Sequence, residues 1–267
     1  MAKPVKLNLV VPKGWGVLSD KKLMSLFRMM SMGFDQSEVK LLALLKFSGC
    51  KVIGRVPALN KRGAKDWLIR QGKNFYCVSS LQLAEVLGFL NWMDELPDLP
   101  VRVWKWKGRV ALDPLLQGVP FEKFIIMENL YQGYLSNQND GFLDQIADVL
   151  YSKGKGLRRF NKPKEDSLNL SAFRLNVFYW VASIKKYFSI VFPDFFQPVA
   201  DSSSNLLGSS NSLGKQLQDS MNAQIRALTK GDITKEEHIL SLDTWRALTE
   251  LNAQAKEYAE LNSKISK

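Results

Sequence analysis

FEKFIIMENLYQGYL, Phe121 to Leu135, opens a series of three apolar and aromatic segments that continues with Phe142 to Tyr151 and Ser171 to Phe192. Each has the length and apolar content of a buried helix, so the bulk of the fold is predicted to be helical. Upstream, Val101 to Leu112 reads as a hairpin turning at Lys107-Gly108, with Trp104 and Trp106 on one face and Val103, Lys105 and Lys107 on the other. Nearer the N-terminus, Ser19-Asp20 caps a helix carrying Leu23, Leu26, Phe27 and Met30, which ends at Gly33. A second helix, Ser37 to Phe47, stops near Gly49 and hands over to Val52-Ile53. Trp67 to Ile69 and Asn74 to Val78 read as short strands about a Gln71-Gly72 turn, and Ser79 or Ser80 caps a helix from Leu81 to Met93 before Pro97 and Pro100.

Downstream, Asp201 to Gly214 is mostly Ser, Asn, Gly and Leu, a composition that reads as a flexible linker. Beyond it, Lys215 to Lys230 and Lys235 to Lys264 read as two further helices in which acidic and basic residues balance. The expected fold is therefore mainly α with small antiparallel β-hairpins, an α+β class with a helical body and tethered C-terminal helices. The expected domains are an α+β unit over 1–100, a hairpin plus helical unit over 101–200, a linker over 201–214 and a helical tail over 215–267.

The chain has 267 residues, 46% of them hydrophobic, ample for a buried core. Its two cysteines, Cys50 and Cys77, are too few and too far apart for a disulfide framework or a zinc site; both read as small core residues of a protein in a reducing compartment. The apolar stretch Leu7 to Val11, broken by Asn8 and stopped by Pro12, is too short for a signal peptide. Phe173 to Phe192 carries Arg174, Asn176, Lys185 and Lys186, so it reads as a buried helix and not a membrane span.

A search for chemistry mostly eliminates options. The single histidine, His238, has no cysteine or second histidine at ligand spacing, and its place after the linker suits no Ser-His-acid triad. Gly208 to Lys215, GSSNSLGK, approaches a phosphate-binding loop but has five residues between its glycines, and Gln216 stands where Ser or Thr would hold magnesium. Asp94, Glu95 and Asp98 read as solvated or capping acids beside Pro97. The reading expects no enzyme, cofactor, metal or small-molecule substrate.

Charge is the feature left to explain. Against 26 acidic residues stand 37 basic ones, a net charge of +11, and the excess gathers in three runs: Lys51 to Lys73, Arg102 to Arg109 and Lys153 to Lys164. Such clusters imply contact with a polyanion or an acidic partner. The candidate contacts to nucleic acid or an acidic partner are Lys61, Arg62, Lys65, Arg102, Lys105, Lys107, Arg109, Lys153, Lys155, Arg158, Arg159, Lys162 and Lys164. Trp104 and Trp106 among these cations could stack on unpaired bases; packing under neighbouring helices explains them equally well. In the tail, Ile225, Leu228, Ile239, Leu242, Trp245, Leu248 and Leu251 form an amphipathic set suited to a partner helix, or to folding back on the body.

Several stretches carry a family resemblance: Phe121 to Leu135, Leu143 to Tyr151, and FYWVASIKKYFSIVFP from Phe178 to Pro193. Gly14-Trp15 with Leu18-Ser19-Asp20, Leu41 to Val52, Thr229 to Lys235, and WRALTELN from Trp245 to Asn252 add to it. Together they resemble proteins from the structural gene blocks of tailed bacteriophages and related prophages, including crAss-like phages. The resemblance implies a non-enzymatic morphogenesis protein, either a tail-assembly chaperone or a subunit of the neck and tail rings. The reading expects an oligomer in contact with other phage structural proteins, present in the host cytoplasm during assembly and, for a ring subunit but not a chaperone, in the virion tail or neck. The resemblance carries over no functional residues, because such families have no catalytic motif to match. The alternative reading is a nucleic-acid-binding protein using the basic runs over 51–73, 102–109 and 153–164.

Overall fold

The computed structural model describes residues 7–57, 65–152, 167–196 and 222–265. The chain is mainly helical with two small antiparallel sheets. It divides into two compact units, Met1–Pro97 with Lys164–Asn176 and Asp98–Pro163 with Val177–Lys267.

The first unit opens with α1 (Asp20–Met30), which follows Ser19 at the N-cap and buries Leu23, Leu26, Phe27 and Met29 along one stripe. Gly33 takes a φ of +75° after it. Next, α2 (Gln36–Phe47) is started by a reciprocal capping box: the Glu38 amide donates to Asp35 Oδ1 at 2.8 Å and the Asp35 amide donates to Glu38 Oε2 at 3.2 Å. Strands β1 (Cys50–Pro57), β2 (Lys65–Gln71) and β3 (Asn74–Val78) form an antiparallel sheet in that order. Alternation sends Trp67, Ile69, Tyr76 and Val78 toward a core shared with Leu45, Cys50 and Leu83. Cys77, expected in that core, is instead exposed, because its neighbours Tyr76 and Val78 take the inner face.

Then comes α3 (Ser80–Leu87), capped by Ser79 with Gln82. The single helix expected over Leu81 to Met93 changes here: Gly88–Asp94 winds as a 3-10 helix. Glycine is a poor helix former, and the tighter winding puts the buried Leu90 and Met93, three residues apart, on one edge. Two indoles tie this corner together. Trp15 Nε1 donates to the carbonyls of Trp92 and Glu95, both at 3.0 Å, and Trp92 Nε1 donates to that of Pro12 at 2.9 Å. Their rings meet edge-on at 5.1 Å.

In the second unit, β4 (Lys105–Trp106) and β5 (Arg109–Ala111) form a hairpin shorter than the one expected over Val101 to Leu112. Lys107 and Gly108 both take positive φ, +49° and +78°, as a two-residue I′ turn requires. A third strand that the sequence did not signal, β6 (Tyr151–Ser152), pairs with β5. The aromatic helices follow as expected in kind: α4 (Phe121–Asn137), α5 (Asp140–Leu150) and α6 (Ser167–Val191), the last giving its first residues to the first unit. Trp180, Phe124 and Phe188 are buried among them.

The tail contains α7 over 222–229, α8 (Glu236–Ser241) and α9 (Thr244–Ile265). The helix expected over Lys235 to Lys264 is interrupted at Leu242-Asp243, where the chain pairs with the segment before α4. The Phe121 amide donates to the Leu242 carbonyl at 2.8 Å, and the Thr244 amide donates to that of Val119 at 2.9 Å. Residues 222–265 thus belong to the second unit, where the sequence suggested a tethered tail. The expected linker over 201–214 lies outside the described residues.

At the α4–α5 corner, Gly133 is buried and a Cβ placed there would stand 2.8 Å from the Phe142 ring. Gly133→Val should therefore destabilise the protein by about 1–3 kcal/mol through overpacking, read as a lower denaturant midpoint with unchanged slope.

Candidate functional site

Two surfaces, one in each unit, carry residues that the fold does not consume. In the first unit the outer face of the β1–β3 sheet presents a cross-strand row, Lys51 opposite Arg70 and Arg70 opposite Phe75. All three are exposed, Phe75 to 60%. Along the same face lies Cys77, opposite Leu68. On the inner side Arg55 covers the Trp67 ring, its guanidinium carbon 3.3 Å from the centroid, and donates to the Lys65 carbonyl. Lys65 is exposed at the start of β2. Lys61 and Arg62 lie outside the described residues.

The hairpin run is largely absorbed by packing. Arg109 is 2% exposed and its Nη1 donates to Asp148 Oδ1 at 2.5 Å, so it pins β5 to α5 and is withdrawn as a contact for a polyanion. Arg102 is also corrected: its Nε donates to the Leu112 carbonyl at 2.8 Å, and its guanidinium lies over the Trp104 and Trp180 rings at 4.9 and 5.7 Å. Lys105 and Lys107 are exposed, Lys107 lying over the Trp106 ring. Trp104 and Trp106, expected on one face, differ: Trp104 is exposed and Trp106 half-buried. Lys153, Lys155, Arg158, Arg159, Lys162 and Lys164 lie outside the described residues.

The tail residues expected to face a partner pack within the second unit instead. Ile225, Leu248 and Leu251 are buried, and Leu228, Ile239, Leu242 and Trp245 are half-buried. Trp245 donates to the Leu115 carbonyl at 2.7 Å, with its ring 5.6 Å from Phe188 and 5.5 Å from Phe192. The surface that remains lies further along the same helix. From Lys256 to Lys264 α9 is exposed at every residue, with Tyr258 at 68% and Leu261 at 57%. Leu248, Leu251, Ala255 and Tyr258 continue one stripe at alternating spacings of three and four residues.

Where that stripe leaves the body, an open groove of about 650 Å³ is lined by Phe124, Phe195, Phe196, Leu251, Ala255 and Tyr258. Its polar element is an ion pair: Lys185 Nζ donates to Glu128 Oε1, which also accepts from Gln132 Nε2 at 2.7 Å. Glu128 Oε2 is buried without a hydrogen-bond partner, so Lys185 carries most of the neutralisation of that carboxylate. Burial, and then the Glu128 charge, push the phenol of neighbouring Tyr131 above its usual range.

Phe75, Tyr258 and Leu261 were not singled out from the sequence. Period-two alternation in β3 and the extended stripe of α9 were the available signals. Among the described residues no cluster of His, Cys, Asp or Glu is suited to hold a metal, His238 is exposed on α8, and no helix is long and apolar enough to cross a membrane. No family model, curated protein or solved structure matches this chain.

Lys185→Met should cost about 1–3 kcal/mol by leaving a mostly buried carboxylate without its cation; adding Glu128→Leu should recover much of the loss in the same denaturant measurement. The raised Tyr131 pKa means the folded state favours the neutral phenol, so its contribution is complete below the ordinary tyrosine pKa near about 10 and is lost as pH rises through the higher folded value. Unfolding free energy should fall across that alkaline range, and Tyr131→Phe should flatten the fall.

Proposed function

We propose that this protein is a non-enzymatic assembly or structural protein of the tailed-phage class, acting by protein–protein contact in the tail or the head–tail neck. The role is that of a tail-assembly chaperone or a ring subunit. The phage class rests on the sequence resemblance, and one observation supports action by protein contact: the distal half of α9 extends past its own core while presenting Tyr258 and Leu261 to solvent. The exposed end of α9 has few turns and gains little from its own hydrogen bonds in water, and an amphipathic helix laid against an apolar groove is a common mode of subunit contact. The groove at the base of α9 supplies such a surface on the same unit. A neighbouring copy can therefore offer its helix and receive one, which favours an oligomer, with other structural proteins of the particle as further partners. The residues that engage it are Tyr258 and Leu261, in place of the tail residues that the body already buries.

Mass by light scattering after size exclusion tests this directly, at about 0.1 M and about 1 M salt, where screening of surface charge differs strongly. The expected result is a multimer at both, reduced to the protomer by Tyr258→Asp with Leu261→Asp while the far-ultraviolet spectrum stays unchanged. A wild-type protomer at both salt concentrations, or a multimer indifferent to the double substitution, rejects self-assembly through α9.

A further inference from the structure

We propose that the outer face of the β1–β3 sheet binds single-stranded nucleic acid, with a base stacked on Phe75 and the backbone phosphates held by Arg70 and Lys51. The proposal is independent of α9 and its groove. Register puts the three side chains in one row across the sheet, with neighbouring strands about 4.8 Å apart. Phe75 is an aromatic ring left 60% exposed beside an exposed guanidinium, on a sheet whose other side buries Val78 and packs the half-buried Tyr76.

Charge selects the occupant. Of the described residues on this outer face and its β2–β3 turn, Lys51, Arg70 and Lys73 stand against the single acid Asp66, which sits toward the other end of β2. Among the described residues no carboxylate forms an ion pair with Lys51, Arg70 or Lys73. Free cations flanking an exposed ring match a polyanion whose own surface offers flat apolar faces. A single strand has both, phosphates for the cations and unpaired bases for the ring. A duplex keeps its bases stacked inside and cannot use Phe75. An acidic protein segment could satisfy the cations, but it brings no flat ring at phosphate spacing.

The test is fluorescence anisotropy of a labelled oligothymidylate of about 20 nucleotides, long enough for the usual site size, with the full-length wild type and three variants. Phe75→Ala should weaken binding roughly tenfold or more through lost stacking. Lys51→Glu with Arg70→Glu should abolish tight binding; the neutral pair Lys51→Gln with Arg70→Gln should flatten the salt dependence by about 1.4 in log–log slope, two contacts at about 0.7 each. All of these positions are exposed, so thermal unfolding should stay near wild type, and the mass by light scattering should not change.

Cys77 supplies a second readout on the same face. It is exposed while Cys50 is buried, so the oligonucleotide should slow alkylation of Cys77 in the wild-type protein. Failure of the wild type to bind overturns the proposal. So does a Phe75→Ala variant that binds as well as wild type with Cys77 unprotected, which would place the strand on other basic segments. Equal or tighter binding of duplex DNA, or displacement by polyglutamate at equal charge concentration, also overturns it, in favour of general polyanion attraction or an acidic protein partner.

Discussion

The segment Asp113–Pro120 has no regular structure, yet much of the second unit closes over it. Leu116 and Val119 are buried, and Leu116 and Gly118 take positive φ, +58° and +68°. Some carbonyls in such a segment have no backbone partner, and an unpaired buried backbone group costs free energy comparable to a lost hydrogen bond. Donors arrive from α6 and from the start of α9. Trp180 Nε1 reaches the Pro114 carbonyl at 3.0 Å, Trp245 Nε1 reaches that of Leu115 at 2.7 Å, and Thr244 Oγ1 reaches that of Val119 at 2.7 Å. Two of these three donors come from the start of α9. The tail is therefore bound into the second unit by the requirement to satisfy this backbone, as well as by the aromatic contacts of Trp245 with Phe188 and Phe192.

The first unit solves a similar problem in the same way. Its N-terminal stretch and the loop after the 3-10 helix are joined through the indoles of Trp15 and Trp92, each donating to a carbonyl of the other segment. Tryptophan suits this task because one side chain supplies a large apolar surface and a single donor. Several of the seven tryptophans thus act as staples between segments distant in sequence. That use explains why the aromatic content did not reveal a binding site.

Charge divides on the same principle. Arg109, Lys40 and Lys185 are drawn into ion pairs with Asp148, Asp94 and Glu128, and Arg102 is spent on a carbonyl and two indoles. Lys51 and Arg70 alternate outward on a small sheet and remain free for a partner. A basic run in sequence is therefore a mixture of structural and available cations, separated by which strand face or helix each one joins.

Much of the fold was legible because its signals are local. Ser79 caps α3 through its side chain, Ser19 stands at the N-cap of α1, Gly33 and Gly49 take the positive φ that follows helices, and Lys107-Gly108 forms the hairpin turn, each a matter of a few neighbouring residues. The helices α4 to α6 follow from apolar content and length. The strand β6, the break at Leu242-Asp243 and the inward fate of Trp245 and Arg109 were not legible, because each depends on a partner far along the chain: Val110 and Ala111, Val119 and Phe121, Leu115, and Asp148. Local chemistry, then, determined most of the helices and turns. Only the tertiary structure decided which aromatic and basic side chains are consumed and which, like Phe75, Arg70 and Tyr258, are left to meet a partner, since burial is settled by contacts that no short window of sequence contains.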